Sequence, residues 1–184
     1  MLYKWNAKLQ AGERYLFAIA HRRNSNKLID SWLHFITHAG GATFTLSSSL
    51  LIAWLAHGSW RLSAWHAFAA VVLSHLPVSI IKRAFKRLRP YQTLDQVYTV
   101  SKPLKDPSFP SGHTTAVFAW LTPFVLGSGA AWPLIWPAAA LLGLSVAWSR
   151  IYLGLHYPSD VAIGSIIGVG TAVIVVQLAL PFPI

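Results

Sequence analysis

Charged side chains are missing from long stretches of this chain, and that absence restricts its fold more than any motif does. Lys, Arg, Asp and Glu do not occur at residues 31–60, 62–81 or 107–149, and after Arg150 the one charged side chain is Asp160. A helix needs roughly 20 apolar residues to cross a bilayer core. Spans are therefore predicted near 32–57, 60–82, 111–127, 132–150 and 158–180. The segments are too long and too continuously apolar for the alternating strands of a barrel, so only helices fit. Composition agrees: at 54% hydrophobic, 11% charged and a mean hydropathy of +0.49, the 184 residues are too apolar for an ordinary soluble domain. The expected fold is an all-α, polytopic transmembrane helical bundle forming one integral-membrane domain over residues 1–184.

Residues 1–30 read differently. Leu2, Trp5, Leu9, Leu16, Phe17 and Ile19 are interrupted by Lys4, Lys8, Glu13 and Arg14, which suits an amphipathic helix lying in the headgroup region. The segment lacks the uninterrupted apolar core and small-residue cleavage pattern of a signal peptide. Five spans plus this interfacial helix are expected, with six spans as the alternative. Trp5, Trp32, Trp54, Trp60, Trp65, Trp132, Trp136 and Trp148 fall toward span ends, as an interfacial aromatic belt requires. The absence of cysteine excludes a disulfide framework and thiolate metal sites. A net charge of +10 points to anionic lipid or phosphate partners. It does not point to nucleic acid, because the basic residues lie between apolar spans rather than along a soluble face.

The substantial polar loop, 83–110, holds Pro90, Pro103, Pro107 and Pro110 and should be irregular. The connections at 57–61 and 127–131 are nearly uncharged and read as simple turns on the opposite face. With five spans, the N-terminal segment, the 83–110 loop and the 150–160 connection share one side. Three polar clusters lie at that side.

Each cluster has a plain structural reading and a chemical one. Lys82 to Arg89 reads as a snorkelling basic collar. Lys82 and Arg89, seven residues apart, share a face if the helix continues until Pro90 stops it; Arg83, Lys86 and Arg87 are read as lipid-facing or solvated. Pro110-Ser111-Gly112-His113-Thr114 reads as a helix start capped by Ser111, which is also an anion site because free N–H groups and the positive end of the helix dipole converge there. His113 is placed to protonate a leaving oxygen, whereas His34, His38, His57, His66 and His75 are read as structural. In the third cluster Asp160 either caps the last span or, four residues beyond His156, orients that imidazole at a surface-accessible corner. An Asp at the mouth of an uncharged span is costly unless paired.

Taken in order, Lys-x6-Arg-Pro, Pro-Ser-Gly-His and Ser-Arg-x5-His-x3-Asp over residues 82–160 resemble the type 2 phosphatidic acid phosphatase superfamily. That family includes membrane lipid phosphatases, soluble acid phosphatases and vanadium haloperoxidases. The resemblance implies that His156 attacks phosphorus to form a phosphohistidine, that His113 protonates the leaving oxygen and that Asp160 orients His156. Lys82, Arg89, Ser111, Gly112 and Arg150 would hold the phosphate, with no metal and no cofactor. The implied activity is hydrolysis of a lipid phosphate: phosphatidylglycerophosphate, phosphatidic acid or a polyprenyl pyrophosphate. A phosphotransferase and a silent lipid transporter or scaffold on the same fold are the alternatives. Membrane members commonly have six spans and many act on the outer face. Here Lys4, Lys8, Arg14, Arg22, Arg23 and Lys27 add to the loop's charge, so the positive-inside rule points to a cytoplasmic site in a bacterial inner membrane. Gly127, Gly129, Gly164, Gly168 and Gly170 permit close helix contacts within the monomer or between copies, which leaves the oligomeric state open.

Overall fold

The computed structural model describes residues 7–21, 26–95, 97 and 104–178, with side chains from residue 11. Leu2, Lys4, Trp5, Arg22, Arg23, Pro103 and the end of the last predicted span lie outside the described residues, as do the side chains of Lys8 and Leu9. The helices are α1 (Ala7–Ala20), α2 (Lys27–Ile36), α3 (Ala42–Leu55), α4 (Gly58–Phe85), the single turn α5 (Pro90–Thr93), α6 (Gly112–Leu126), α7 (Trp132–Tyr152) and α8 (Pro158–Leu178). Among the described residues, three segments are long and apolar enough to cross a membrane: those built on α4, α7 and α8.

α6 is the axis of the bundle, packed by α8, α4, α7 and α3. Thr114, Thr115, Ala116, Val117, Ala119 and Leu121 are buried around its whole circumference, which is the signature of a central helix. Small residues let its neighbours approach closely: Ala116 and Ala119 meet Ala70 and Val71 of α4 and Ala172 of α8. A Cβ at Gly164 would lie 2.7 Å from the Ser111 carbonyl oxygen, and one at Gly168 only 2.4 Å from that of Thr115. These two glycines therefore serve contacts within the monomer, whereas a Cβ at Gly170 would meet nothing within 4 Å.

The predicted first span, 32–57, is not one helix. α2 ends at Ile36, a 3-10 turn covers Thr37–Gly40, and α3 starts after Gly41, whose extended backbone serves as its N-cap. Close packing is the reason. A Cβ on Gly40 would sit 2.8 Å from both the His113 carbonyl oxygen and Val146 Cγ1, so only glycine lets this backbone lie against the start of α6. The break leaves α3 with 14 residues, about 21 Å of helix, short of a bilayer core of roughly 30 Å. A second departure lies at the end of α4. The helix stops at Phe85 with Lys86 left-handed (φ 45°), so Lys82 and Arg89 do not share one helix face. Pro90 starts α5 instead of stopping α4, its fixed φ suiting the first helical position.

α1 is amphipathic in an unexpected sense. Phe17 and Ala20 turn inward onto Ala147, Ile151, Tyr157 and Val161, while Leu16 and Ile19 face outward. His21 Nδ1 lies 3.0 Å from the Tyr152 carbonyl oxygen, tying the end of α1 to the end of α7. The belt tryptophans Trp32, Trp54, Trp60, Trp65, Trp132, Trp136 and Trp148 are all exposed, as interfacial anchors should be. Trp120 is partly buried against the core, packed edge-on against Phe44 and Phe124.

Candidate active site

The three polar clusters meet at one end of the bundle, and local backbone chemistry puts them there. α7 terminates in a Schellman motif: Gly154 is left-handed (φ 72°), its N–H bonds the Ile151 carbonyl, and the Leu155 N–H bonds that of Arg150. The His156 N–H also reaches the Arg150 carbonyl at 3.1 Å, so the chain doubles back and buries the imidazole, which is 2% exposed. The surface-accessible corner expected for His156 is thus an interior position, because the turn folds the ring under the end of α7. α8 then opens with Pro158, and Asp160 Oδ2 accepts from the Tyr157 N–H at 2.9 Å, capping the helix.

Asp160 does more than cap. Its Oδ2 lies 3.4 Å from His156 Nδ1, its Oδ1 accepts from Arg87 Nη1 at 2.8 Å, and its carbonyl accepts the Ser111 N–H at 2.9 Å. That last bond joins the second and third clusters. Ser111 caps α6 through its hydroxyl, which accepts from Thr114 Oγ1 at 2.9 Å. With Thr114 N–H capped and Ser111 N–H bonded to Asp160, the Gly112 and His113 N–H groups are the donors at the mouth of α6. A Cβ on Gly112 would meet nothing within 4 Å, so the main chain there is open to approach.

Arg89 is 1% exposed, a position that demands partners for its charge. Its Nε donates to the Asp106 carbonyl at 3.0 Å and its Nη2 to Asp106 Oδ1 at 2.9 Å. Its Nη1 donates to the Leu155 carbonyl at 2.9 Å and lies 3.3 Å from His156 Nε2. Lys82 Nζ pairs with the other oxygen of Asp106. Arg150, 4% exposed, donates from Nη1 to Thr37 Oγ1 at 2.8 Å, and its Nε has no hydrogen-bond partner among the described residues. The 3-10 turn that breaks the first predicted span supplies that threonine.

The arrangement fixes the histidine's chemistry. An arginine can only donate, so Nε2 carries the lone pair, and the ring proton is assigned to Nδ1, toward Asp160. Burial, followed by the nearby charges of Arg150, Arg89 and Lys82, pushes the His156 pKa well below its ordinary 6.5 and keeps the ring neutral. His113 lies within electrostatic reach of Arg150, His156, His38 and Lys82, so His38 belongs to the surroundings of this site. Burial raises the Asp106 carboxyl, but Lys82 and Arg89 outweigh it and hold the group below the usual range. Beside Lys82 and Asp106 opens a cleft of about 520 Å³ that Arg83, Lys86, Lys105 and Leu88 also line.

Lys82, Arg89, Ser111, Gly112, His113, Arg150, His156 and Asp160 thus converge. Other participants escaped the sequence reading, among them Ser108, whose side chain bonds Asp160 and whose backbone bonds His156. Arg87, expected to be lipid-facing or solvated, lies over the Tyr157 ring at 4.1 Å and reaches Asp160, because the left-handed Lys86 swings the chain inward after α4. Glu13, Asp106 and Thr37 complete the polar network. Of the five acids in the sequence, Glu13, Asp106 and Asp160 pair with Arg87, Arg89 or Lys82 in this network.

Buried arginines around a neutral histidine with a carboxylate behind it make a cationic centre suited to an anion. The PAP2 superfamily matches residues 63–182, and the chain belongs to that family. It is 31% identical over 134 residues to the bacitracin transport permease protein BcrC of Bacillus licheniformis, covering 72% of this chain and 64% of that protein. To the decaprenylphosphoryl-5-phosphoribose phosphatase of Mycolicibacterium smegmatis it is 34% identical over 131 residues, covering 71% and 66%. The matched stretch is thus slightly under two thirds of either relative. The fold is that of the transmembrane PAP2-type phosphatidylglycerolphosphate phosphatase from Bacillus subtilis, with a TM-score of 0.78, 19% identity and coverage of 95% of this chain and 87% of that one.

Proposed function

We propose that this chain is a metal-independent lipid phosphate phosphatase that works through a phosphohistidine. One observation carries the reading: Arg89, Arg150 and Lys82 all act on His156, whose Nε2 faces Arg89 while its Nδ1 faces Asp160. Asp106 offsets one of these three positive charges, and a tetrahedral phosphate can take up the other two.

His156 Nε2 attacks phosphorus as the bond to the lipid oxygen breaks, and His113 gives its proton to that oxygen. Water, deprotonated by His113, then attacks the phosphohistidine, releasing inorganic phosphate and restoring both rings. Asp160 balances the positive charge that develops on His156. Lys82, Arg89, Arg150 and the Gly112 and His113 N–H groups stabilise the equatorial oxygens, and Ser111 holds the mouth of α6 in shape. The catalytic region is 82–160 within a single domain of residues 1–184.

The substrate is a lipid whose phosphate enters from the bilayer surface, a phosphatidylglycerophosphate or a polyprenyl phosphate or diphosphate. Support comes from the cationic cleft and from the decaprenylphosphoryl-5-phosphoribose phosphatase and the phosphatidylglycerolphosphate phosphatase among the similar proteins. The chain crosses a bacterial inner membrane five times, through the broken α2–α3 unit, α4, α6, α7 and α8, with α1 at the interface and the site cytoplasmic.

Phosphate release is measured with detergent-purified protein in EDTA on phosphatidylglycerophosphate, phosphatidic acid and undecaprenyl pyrophosphate, with His156→Ala as control. Release by wild type alone is expected. Equal release by the variant overturns the reading, and phosphate lost from the lipid only when a lipid or sugar acceptor is added, and recovered on that acceptor, makes the protein a phosphotransferase. Because the chain lacks cysteine, a single cysteine introduced at Lys105 reports sidedness through labelling by an impermeant maleimide.

A further inference from the structure

The carboxylate behind His156 is itself held by an ion-pair chain that begins in α1. Arg87 is bidentate across two acids: Nη1 donates to Asp160 Oδ1 at 2.8 Å and Nη2 to Glu13 Oε2 at 2.5 Å. Ser159 closes the ring of contacts. Its hydroxyl accepts from Arg87 Nη1 at 2.7 Å and is bonded to Glu13 Oε1, which also accepts the Ser159 N–H at 3.2 Å. The Tyr157 ring lies under the guanidinium, and its hydroxyl is 2.6 Å from Thr93 Oγ1. Phe17, one turn along α1 from Glu13, packs on the same Tyr157 ring at 5.7 Å between centroids. Asp160 is fully buried, so its orientation depends on these partners, on the Tyr157 N–H and on the Ser108 side chain.

We propose that Glu13 and Arg87 are positioning residues for the Asp160–His156 pair, so that docking of α1 on the bundle sets the competence of the nucleophile. This rests on the phosphohistidine reading above. Arg87 holds Asp160 Oδ1 and thereby turns Oδ2 toward the imidazole. Glu13 fixes the guanidinium at its other edge, where a free arginine would snorkel to solvent. α1 is therefore part of the working site as well as a surface-lying helix, and a membrane or partner that lifts it would loosen His156.

Charge adds a signature that a purely mechanical brace would lack. The groups facing the pair are Arg87, Arg89 and Lys82 around the end of α4 and the following loop, His113 from α6, Arg150 from α7, Tyr157 from the corner and Glu13 from α1. Removing Arg87 leaves the full charge of Asp160 to His156, which then protonates more readily, so the acid limb of kcat/KM moves to higher pH. Removing the charge of Glu13 leaves Arg87 wholly to Asp160, and the limb does not move up.

The test compares Arg87→Met, Arg87→Lys, Glu13→Gln and the Arg87→Met/Glu13→Gln double variant in the full-length protein, using a short-chain phosphatidic acid in mixed micelles. Expected for Arg87→Met are a fall in kcat of about 10- to 100-fold, the range seen when outer partners of a working side chain are lost, with KM little changed and the acid limb raised. Arg87→Lys keeps the charge but spans only one acid and falls between. Glu13→Gln lowers kcat without raising the limb, and the double variant is less impaired than the two single losses multiplied. Should Arg87→Met not fold, Glu13→Gln and Arg87→Lys carry the kinetic test. Wild-type kcat and pH profile in folded Arg87 and Glu13 variants, with His156→Ala inactive, overturn this inference alone, even where the melting temperature drops. An active His156→Ala overturns the underlying function instead.

Discussion

Gly168→Ala should disable the enzyme from the middle of a helix that holds no catalytic group at that level. The added Cβ would sit 2.4 Å from the Thr115 carbonyl oxygen and 3.0 Å from both Ala119 N and Phe118 Cβ, where ordinary contact begins at 3.4 Å. Two of these are main-chain atoms and the third is a Cβ, so none can rotate aside. α6 and α8 must part by about 1 Å, a displacement that can cost about 10²-fold in rate when it reaches reacting groups. It reaches them here because α6 opens with Ser111 and His113, α8 opens with Asp160, and the Ser111–Asp160 backbone bond joins the two. Helix propensity works in the other direction, favouring Ala over Gly by about 1 kcal/mol, but overpacking costs about 1–3 kcal/mol and wins. Gly170→Ala is the matched control, with open space around the new methyl. The assay is kcat on a short-chain lipid phosphate together with the melting temperature followed by tryptophan fluorescence. Gly168→Ala should lose about 10²-fold in kcat and melt lower, while Gly170→Ala retains activity. If the two variants behave alike, the claim that this seam registers the site is wrong.

Other predictions follow from the charges around His156. Arg150→Ala should lower kcat by roughly 10²-fold or more, the usual loss for a donor to transition-state oxygens, and a change confined to KM would contradict that role. Because burial and the Arg150, Arg89 and Lys82 charges hold the His156 pKa well below 6.5, the ring should stay neutral through pH 6.5 in a histidine NMR titration, and an ordinary titration midpoint would refute the geometry. The sign for stability follows. Above pH 6.5 neither folded nor unfolded chain binds a proton at this residue, so it contributes nothing; below 6.5 only the unfolded chain does, and stability falls with pH. Thermal melts of wild type and His156→Gln should therefore differ in their slope below pH 6.5, wild type falling more steeply.

Much of this was readable from residue spacing, and the failures share a cause. Charge-free runs located α4, α7 and α8 because hydrocarbon tolerates nothing else there. The eight motif residues could be picked out as candidates because their spacing is local to short segments. What spacing does not carry is backbone approach between segments far apart in sequence. Gly40 and Gly41 sit inside a charge-free run, and the Gly-Gly pair signals a turn without saying that the chain must break there to lie against His113 and deliver Thr37 to Arg150. Arg87 was misread for a related reason: the helical register assumed between Lys82 and Arg89 fails at the left-handed Lys86, which no Gly or Asn announces. Glu13 and Asp106 carry no motif, and their part appears only once α1 and the 83–110 loop are folded back on the bundle.

The central claim is that His156 forms a covalent bond to phosphorus, and a trapping experiment meets it directly. Wild type and His156→Ala are mixed with a radiolabelled lipid phosphate in EDTA, quenched in alkali within the first turnovers, and the labelled peptide is located by mass spectrometry. The account predicts an acid-labile, alkali-stable label on His156 in wild type and none in the variant. A label on any other residue, or turnover without label that persists in His156→Ala, would contradict it.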